Sequence, residues 1–329
     1  MANLNYVNGR WVNLEKPGGQ VIFVGGGTVS YPGGNGASDT YPGKRPTEPK
    51  STIQDALDDT VAGRGDTVVI LPGSITITSA LTMTKADVTL TGYAVTGPLT
   101  RNPSVIACAT ASVEMIAVDA ANVTIENLTL DHNNTTANID LIDVGDATAS
   151  TDFVLRNLFL DMEGSATNTD GINISADTAS TNGLIEGVRI HDYDQDGIVV
   201  GAGNDELLIR NCWIYDGVSN EGQYGISNAG DGVLIDNCRI QTDGTAGIYQ
   251  NGTLNMTTNC NIWSTGANTI CILMAASATT SSSGNWLTAV AAGNLCDYTT
   301  DNTSPSADAN ISGIFAGTPG AAVFDDVTV

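Results

Sequence analysis

The chain has 329 residues, with 12 Lys and Arg against 36 Asp and Glu, a formal net charge of −24 and 5% aromatic residues. So acidic a balance argues against nucleic acid as a partner, because phosphate recognition needs clustered Lys and Arg. Gly, Ala, Ser, Thr, Asn and Asp dominate and long Leu/Glu/Lys/Ala stretches are missing, which suits short strands, many turns and an all-β fold.

Residues 1–50 are rich in Gly, Pro and Tyr and read as an irregular N-terminal arm. The opening Met1-Ala-Asn-Leu-Asn5 has no basic or apolar segment, and no apolar run is long enough to cross a bilayer. The expectation is therefore synthesis in a cytoplasm, with no membrane partner. Gly25-Gly26-Gly27 is followed by neither Lys nor a helix start, so it is not a phosphate-cradling loop. Ser51-Thr-Ile-Gln54 has the form of a capping box and opens a short helix to about Asp59, with Ile53, Ala56 and Leu57 as its apolar stripe. Gly65-Asp-Thr-Val-Val-Ile-Leu-Pro-Gly73 follows as a strand and a turn, and residues 74–119 supply weaker repeats such as Val88-Thr-Leu90.

From about Ala120 to Ile262 a repeat becomes explicit. Val123-Thr-Ile-Glu-Asn127-Leu-Thr-Leu130 recurs around Asn157, Gly187, Asn211, Asn237 and Asn259. A second landmark lies between copies: Asp170-Gly-Ile172, Asp196-Gly-Ile198, Tyr224-Gly-Ile226 and Ala246-Gly-Ile248. Coils of roughly 22 residues with variable loops and at least two strands each predict a right-handed parallel β-helix. Stacking then points the column Ile125, Leu155, Ile185, Ile209, Ile235 inward, with Leu130, Leu160, Ile190, Ile214, Ile240, Ile262 beside it. The Asn column is expected at an inner bend, with its amides bonding to one another. Glu126, Arg156, Glu186, Arg210 and Asp236 alternate in sign on the outside, a register device worth ~0.2–1 kcal/mol per exposed pair. Cys212, Cys238 and Cys260 replace Leu128, Leu158 and Val188 of earlier copies and read as free core thiols, while Cys108, Cys271 and Cys296 are not placed by the repeat. Residues 276–329 carry sparse apolar side chains, including Trp286, Ile314, Phe315 and Phe324, and read as a partner-dependent segment. The β-helix is thus expected over 51–275, capped by the helix near 51–59.

Ser51–Leu57, Gly65–Gly73 and the coil repeat together resemble the pectate-lyase-like superfamily over about residues 50–275, and especially the β-helix proteins of bacteriophage particles. That resemblance implies a tailspike, a tail or head fibre or a capsid decoration protein, commonly a homotrimer. Asn168-Thr-Asp170-Gly171 is similar to the Asn-Thr-Asp motif of polygalacturonase-type glycosidases, with Asp194 and Asp196 in the place of that family's paired aspartates. Two such carboxylates within ~5–9.5 Å are what glycoside hydrolysis needs. Against this, Asp170 is part of the repeat landmark, the Gly-His-Gly segment is missing, and Arg-Ile-Lys is matched only by Arg239-Ile-Gln241. A lyase would need acidic residues to hold calcium, for which Asp192, Asp194 and Asp196 are the candidates, with Arg189 or Arg210 as base. His132 and His191 have no nucleophile context and read as surface-turn residues. Trp213 and Trp263 are expected to point outward, either onto sugars or into a subunit interface.

The reading from sequence is therefore a non-catalytic structural virion protein of a tailed bacteriophage, a capsid decoration or short fibre protein. It would be made in the host cytoplasm and bind major capsid or other virion proteins as a homotrimer. No cofactor is expected beyond a structural divalent cation, and host surface polysaccharide is the candidate ligand. The alternative is a polysaccharide-degrading glycosidase or lyase.

Overall fold

In the computed structural model the described residues are 4–7, 10–13, 18–26, 38, 40–93, 101–108, 114–132, 140–162, 169–216, 223–264, 270–275, 279–289 and 296–298. Each coil contributes three strands, one more than the minimum read from the repeat. They stack into three parallel sheets of 10, 9 and 9 strands among the described residues. In one coil, Leu208–Arg210 lies in the first sheet, Trp213–Tyr215 in the second and Tyr224–Asn228 in the third. Every pairing within these sheets is between equivalent strands of successive coils, as in Ile185↔Ile209↔Ile235 and Ile190↔Ile214↔Ile240. Both predicted inward columns are buried in one continuous core that runs the length of the stack.

The Asn column takes its identity from backbone conformation. Asn127, Asn157, Asn211, Asn237 and Asn259 all have φ between 50° and 58°, and Gly187 has φ 63°. Asn and Gly are the residues that enter the left-handed region at least cost. The column makes the tight turn between the first and second sheets. It is not uniformly internal: Asn127 is buried, whereas Asn211, Asn237 and Asn259 are exposed. Its amides do bond along the stack, with Asn237 Nδ2 donating to Asn211 Oδ1 at 2.7 Å. The outer charges pair as couples, Arg156 with Glu126 at 2.7 Å and Arg210 with Glu186 at 2.8 Å.

The Gly of the second landmark is fixed by packing. A Cβ on Gly225 would meet Ile240 Cγ2 at 2.5 Å and the Gly247 carbonyl oxygen at 2.6 Å, and Gly171 and Gly197 are crowded in the same way.

The helix Ile53–Asp58 closes the N-terminal end, burying Ile53, Ala56 and Leu57. Its cap lies one residue later than the sequence suggests. Thr52 is the N-cap, and its hydroxyl accepts the Asp55 N–H at 3.3 Å. Gln54 instead reaches the next coil, where its Oε1 accepts the Thr82 N–H at 2.9 Å. Asp66 of the Gly65–Gly73 segment is a buried fastener, taking the N–H of Gln20 and of Val61 at 2.7 Å each and the Arg64 guanidinium at 2.6 Å.

The β-helix extends past both expected boundaries. Val21–Val24 begins the first sheet beside Thr67–Ile70, so residues 1–50 are not wholly irregular. At the other end Thr279–Ser283, Trp286–Ala289 and Cys296–Tyr298 each continue one sheet. Ile314, Phe315 and Phe324 lie outside the described residues. Cys108, Cys212, Cys238, Cys260 and Cys271 are buried and are not joined in disulfides among the described residues.

His132 corrects the surface-turn reading. It is fully buried, because strand Thr129–His132 alternates and His132 shares the inward parity of Leu130, in register with Cys108. His191 is not in a turn either: it belongs to strand Arg189–His191 and stacks on Tyr215 with ring centroids 5.4 Å apart.

Candidate functional site

Chemistry-bearing side chains gather in three places, each defined by a register position. The first is the outer side of the third sheet. Two residues before each inward Ile116, Ile142, Ile172, Ile198 and Ile226 stand Glu114, Asp140, Asp170, Asp196 and Tyr224. Asp143 and Asn173 point the same way one residue after their Ile. The Asp196 N–H donates to Asp170 Oδ1 at 2.9 Å, the Tyr224 N–H to Asp196 Oδ1 at 2.9 Å, and Asn173 Nδ2 to Asp140 Oδ2 at 2.9 Å. Tyr224 and Tyr249 stack with centroids 4.9 Å apart.

These carboxyls all move in one direction. Burial, then the charges of Asp140 and Asp196, pushes Asp170 up to about 8. Burial, then Asp140, pushes Asp143 up to about 7. Burial alone pushes Asp196 up to about 7 against the hydrogen bond from Tyr224. Asp140 and Glu114 are also raised, by burial first. No Lys, Arg or His occurs at 109–113, 133–139, 163–168, 217–222 or 265–269, the sequence between the second-sheet and third-sheet strands.

The second place is the corner between the second and third sheets. Tyr193 is fully buried there, and its hydroxyl is pushed well up by burial and then by Asp216. Burial, then hydrogen bonding and repulsion from Asp243, raises Asp216 as well. Asp194 is 7% exposed in the same corner. Asp192 turns with φ 57°, and its N–H donates to the Tyr215 carbonyl at 2.9 Å.

The third place is the outer side of the second sheet. Phe159, Arg189, Trp213 and Arg239 are registered neighbours on successive strands. The Arg189 guanidinium lies 5.0 Å from the Phe159 ring centre and 4.4 Å from that of Trp213. Arg239 lies 4.7 Å from Trp213 and 4.6 Å from Trp263. Trp263 Nε1 donates to Gln241 Oε1 at 2.8 Å. An open groove of about 490 Å³ runs beside this strip, lined in part by Asn157, Asn211, Asn237, Trp213 and Arg239.

The residues singled out from sequence divide accordingly. Asp170 and Asp196 are in contact on the third sheet, while Asp194 and Asp192 sit at the corner. Among the described residues no group of three or more His, Cys, Asp or Glu is placed to hold a metal ion. Arg189 and Arg210 face away from Asp170: one is clamped between rings on the second sheet, the other is paired with Glu186 on the first. Asn168 lies outside the described residues. Glu114, Asp140 and Asp143 were missed, although Glu114-Met-Ile116 and Asp140-Leu-Ile142 match the spacing of Asp170-Gly-Ile172. Only the Gly differs, and the Gly is the residue that marks the landmark in the sequence.

The family described as right handed beta helix region matches residues 114–287, more than half of the chain. The chain belongs to the right-handed β-helix family. No curated protein matches the sequence. Among solved structures this β-helix protein is similar to an alginate lyase from Paenibacillus sp. str. FPU-7, at 16% identity over 75% of this chain and 95% of that one, with TM-score 0.51. It is similar to a rhamnogalacturonan lyase at 13% identity over 89% of this chain and 87% of that one, TM-score 0.50. It is also similar to the enzymatically active domain of bacteriophage CBA120 tailspike protein 2, at 13% identity over 80% of this chain and 43% of that one, TM-score 0.48. These are likenesses of fold.

Proposed function

We propose that this chain is a non-catalytic structural protein of a tailed-phage particle, a capsid decoration or short fibre protein that assembles as a homotrimer on other virion proteins. The observation that carries the non-catalytic half is the uniform shift of the third-sheet carboxyls. Glycoside hydrolysis needs two carboxyl groups pushed apart, one held as acid and one ionised as nucleophile or base. Here burial pushes Asp170, Asp143 and Asp196 in one direction, to about 8, 7 and 7, so their environments do not set an acid clearly apart from an ionised partner. A lyase needs a base beside the sugar, and Arg189 and Arg210 are held on other faces. The particle half is supported by the resemblance of Ser51–Leu57 and Gly65–Gly73 to phage β-helix proteins and by the stiffness of a long stack with a continuous core. The chain should be found by mass spectrometry in purified particles at a stoichiometry divisible by three. Its absence from washed particles would sink the reading.

A second reading, a polysaccharide-degrading enzyme, is favoured by one observation. Asp170, held protonated near neutral pH and linked to Asp196, has the properties of a general acid. Release of reducing or unsaturated sugars from host polysaccharide, lost in Asp170→Asn and in Asp196→Asn, would establish it in place of the first.

A further inference from the structure

We propose that Cys108, His132 and Met162, stacked inside the coil on three successive turns, form a binding site for a soft monovalent metal ion of the copper(I) class. The proposal goes beyond the particle role and does not depend on it.

Register places the three side chains together. Strand Ser104–Cys108 pairs with Thr129–His132 so that Cys108 and His132 are directly opposed. Strand Phe159–Asp161 continues the stack with Leu160 beside Leu130 and Asp161 beside Asp131, which sets Met162 beside His132. The Met162 N–H still donates to the His191 carbonyl at 3.0 Å, so the ladder holds at that residue. All three share the inward parity of Ile106, Leu130 and Leu160, and they are 5%, 0% and 0% exposed. Neighbouring strands lie ~4.8 Å apart, so the thiol and the thioether flank the imidazole from the coils on either side.

His132 is the residue that points to a ligand. Both of its ring nitrogens are buried and have no hydrogen-bond partner among the described residues. Such atoms are destabilising, and an apolar residue can fill the column, as Ile77 does beside Cys108. Imidazole, thiolate and thioether share one property: each gives an electron pair to a soft metal ion. Met162 has the unbranched, flexible side chain that can close the shell.

Charge selects the ion. Within this column only the Cys108 thiol ionises on binding, releasing its proton to solvent as the sulfur–metal bond forms. A monovalent cation held by one thiolate and two neutral ligands is electrically neutral. A divalent ion would leave a net positive charge in an apolar core, which burial disfavours. Structural zinc also takes four ligands, from Cys, His and carboxylate, whereas a thiolate with a thioether suits copper(I). The column of Cys212, Cys238 and Cys260 differs. Its sulfurs lie 3.3–3.4 Å from backbone carbonyl oxygens, and no imidazole stands at its register position.

The test uses the full chain, reduced and free of oxygen, titrated with copper(I) held by a weak chromophoric chelator, with zinc(II) as the comparison ion. One copper(I) per chain should leave the chelator, and X-ray absorption should show a shell of two sulfurs and one nitrogen. The melting temperature should rise on loading, because the ion binds the fold and not the unfolded chain. Cys108→Ala should weaken binding by more than the ~10–100-fold that loss of a ligand's outer partner brings. Met162→Leu, at similar volume, should weaken it by about tenfold. His132→Met keeps the packing and supplies a thioether, so it should still bind, with no nitrogen left in the shell. A sulfur-only shell in the unaltered chain, or unchanged affinity in folded Cys108→Ala, would overturn the proposal, since another thiol would then be the ligand. Tighter binding of zinc(II) than of copper(I), or no transfer of copper(I) from the chelator, would overturn it as well.

Discussion

Asp196 donates its backbone N–H to the Asp170 carboxyl at 2.9 Å, across one step of the stack. The carboxyl therefore fastens two coils together while burial keeps it protonated. Asp170, Asp143 and Asp196 hold their protons in the fold up to about 8, 7 and 7, against an ordinary value of 3.8. Between 3.8 and those values the folded chain binds more protons than the unfolded chain, so stability falls as pH rises through this window. The melting temperature should be lower at pH ~8.5 than at pH ~6.5, each kcal/mol being worth roughly 2 °C or slightly more in a chain of this size. Asp170→Asn keeps an acceptor for the Asp196 N–H and cannot ionise. It should flatten the decline, and an unchanged pH slope in that variant would show that Asp170 is not buried as an acid.

His132 acts at the opposite end of the pH scale. Burial lowers its pKa from 6.5, and neither ring nitrogen has a hydrogen-bond partner among the described residues. The unfolded chain takes up the proton first, so stability falls as pH drops below 6.5. Below 6.5 this opposes the carboxyl effect, which stabilises the fold as pH falls. His132→Met matches Met162, the residue that follows strand Phe159–Asp161 at the equivalent place. It removes two unsatisfied polar atoms at similar volume and should raise stability by ~1 kcal/mol, with the largest gain in melting temperature near pH ~5.

The contrast between His132 and the Asn column shows what the sequence could carry. A residue repeated in every coil is legible because the backbone forces the same conformation each time. Asn127 through Asn259, and Gly187 among them, announced one turn without any need for coordinates. His132 occurs once, and its burial depends on the parity of a four-residue strand whose end the sequence does not mark. The third-sheet carboxyls fall between these cases. Asp170 and Asp196 were visible through Gly171 and Gly197, but Glu114 and Asp140 were masked by Met115 and Leu141. Which outer face each charge occupies follows from the third strand per coil, and the variable sequence spacing around that strand obscures it.

The turn positions yield a graded prediction. Asn237 has φ 50° and donates an amide N–H to Asn211 at 2.7 Å. Asn237→Gly keeps the conformation and loses one exposed bond, so it should cost well under ~1 kcal/mol. Asn237→Ala must place a Cβ in the left-handed region and should cost ~1–2 kcal/mol. Gly225→Ala should be worse than either, because its Cβ would sit 2.6 Å from the Gly247 carbonyl oxygen. Urea denaturation of the three variants gives the order directly, and a Gly225→Ala chain as stable as Asn237→Gly would contradict the close stacking of that column.

The thiol column is the last case, and it separates burial from reactivity. Cys212, Cys238 and Cys260 are 2%, 2% and 1% exposed and stand on successive coils. Their sulfurs lie 3.3–3.4 Å from the carbonyl oxygens of Arg210, Asp236 and Thr258. The hydrogen bond with Cys212 and then burial push the Cys238 thiol well up, and Cys260 is raised by Cys238 in the same way. The thiolate is the reactive form, so these three should be inert in the fold. Iodoacetamide at neutral pH should leave them unmodified for hours in native protein and alkylate all three in denaturant, as counted by mass spectrometry of the peptides. Mild oxidation should not link them, because side chains at one register position of adjacent parallel strands run side by side and a disulfide needs its Cβ–S–S–Cβ dihedral near ±90°. Rapid native labelling of Cys238, the central member, would mean that the stack opens at that coil, and the continuous core described above would have to be divided there.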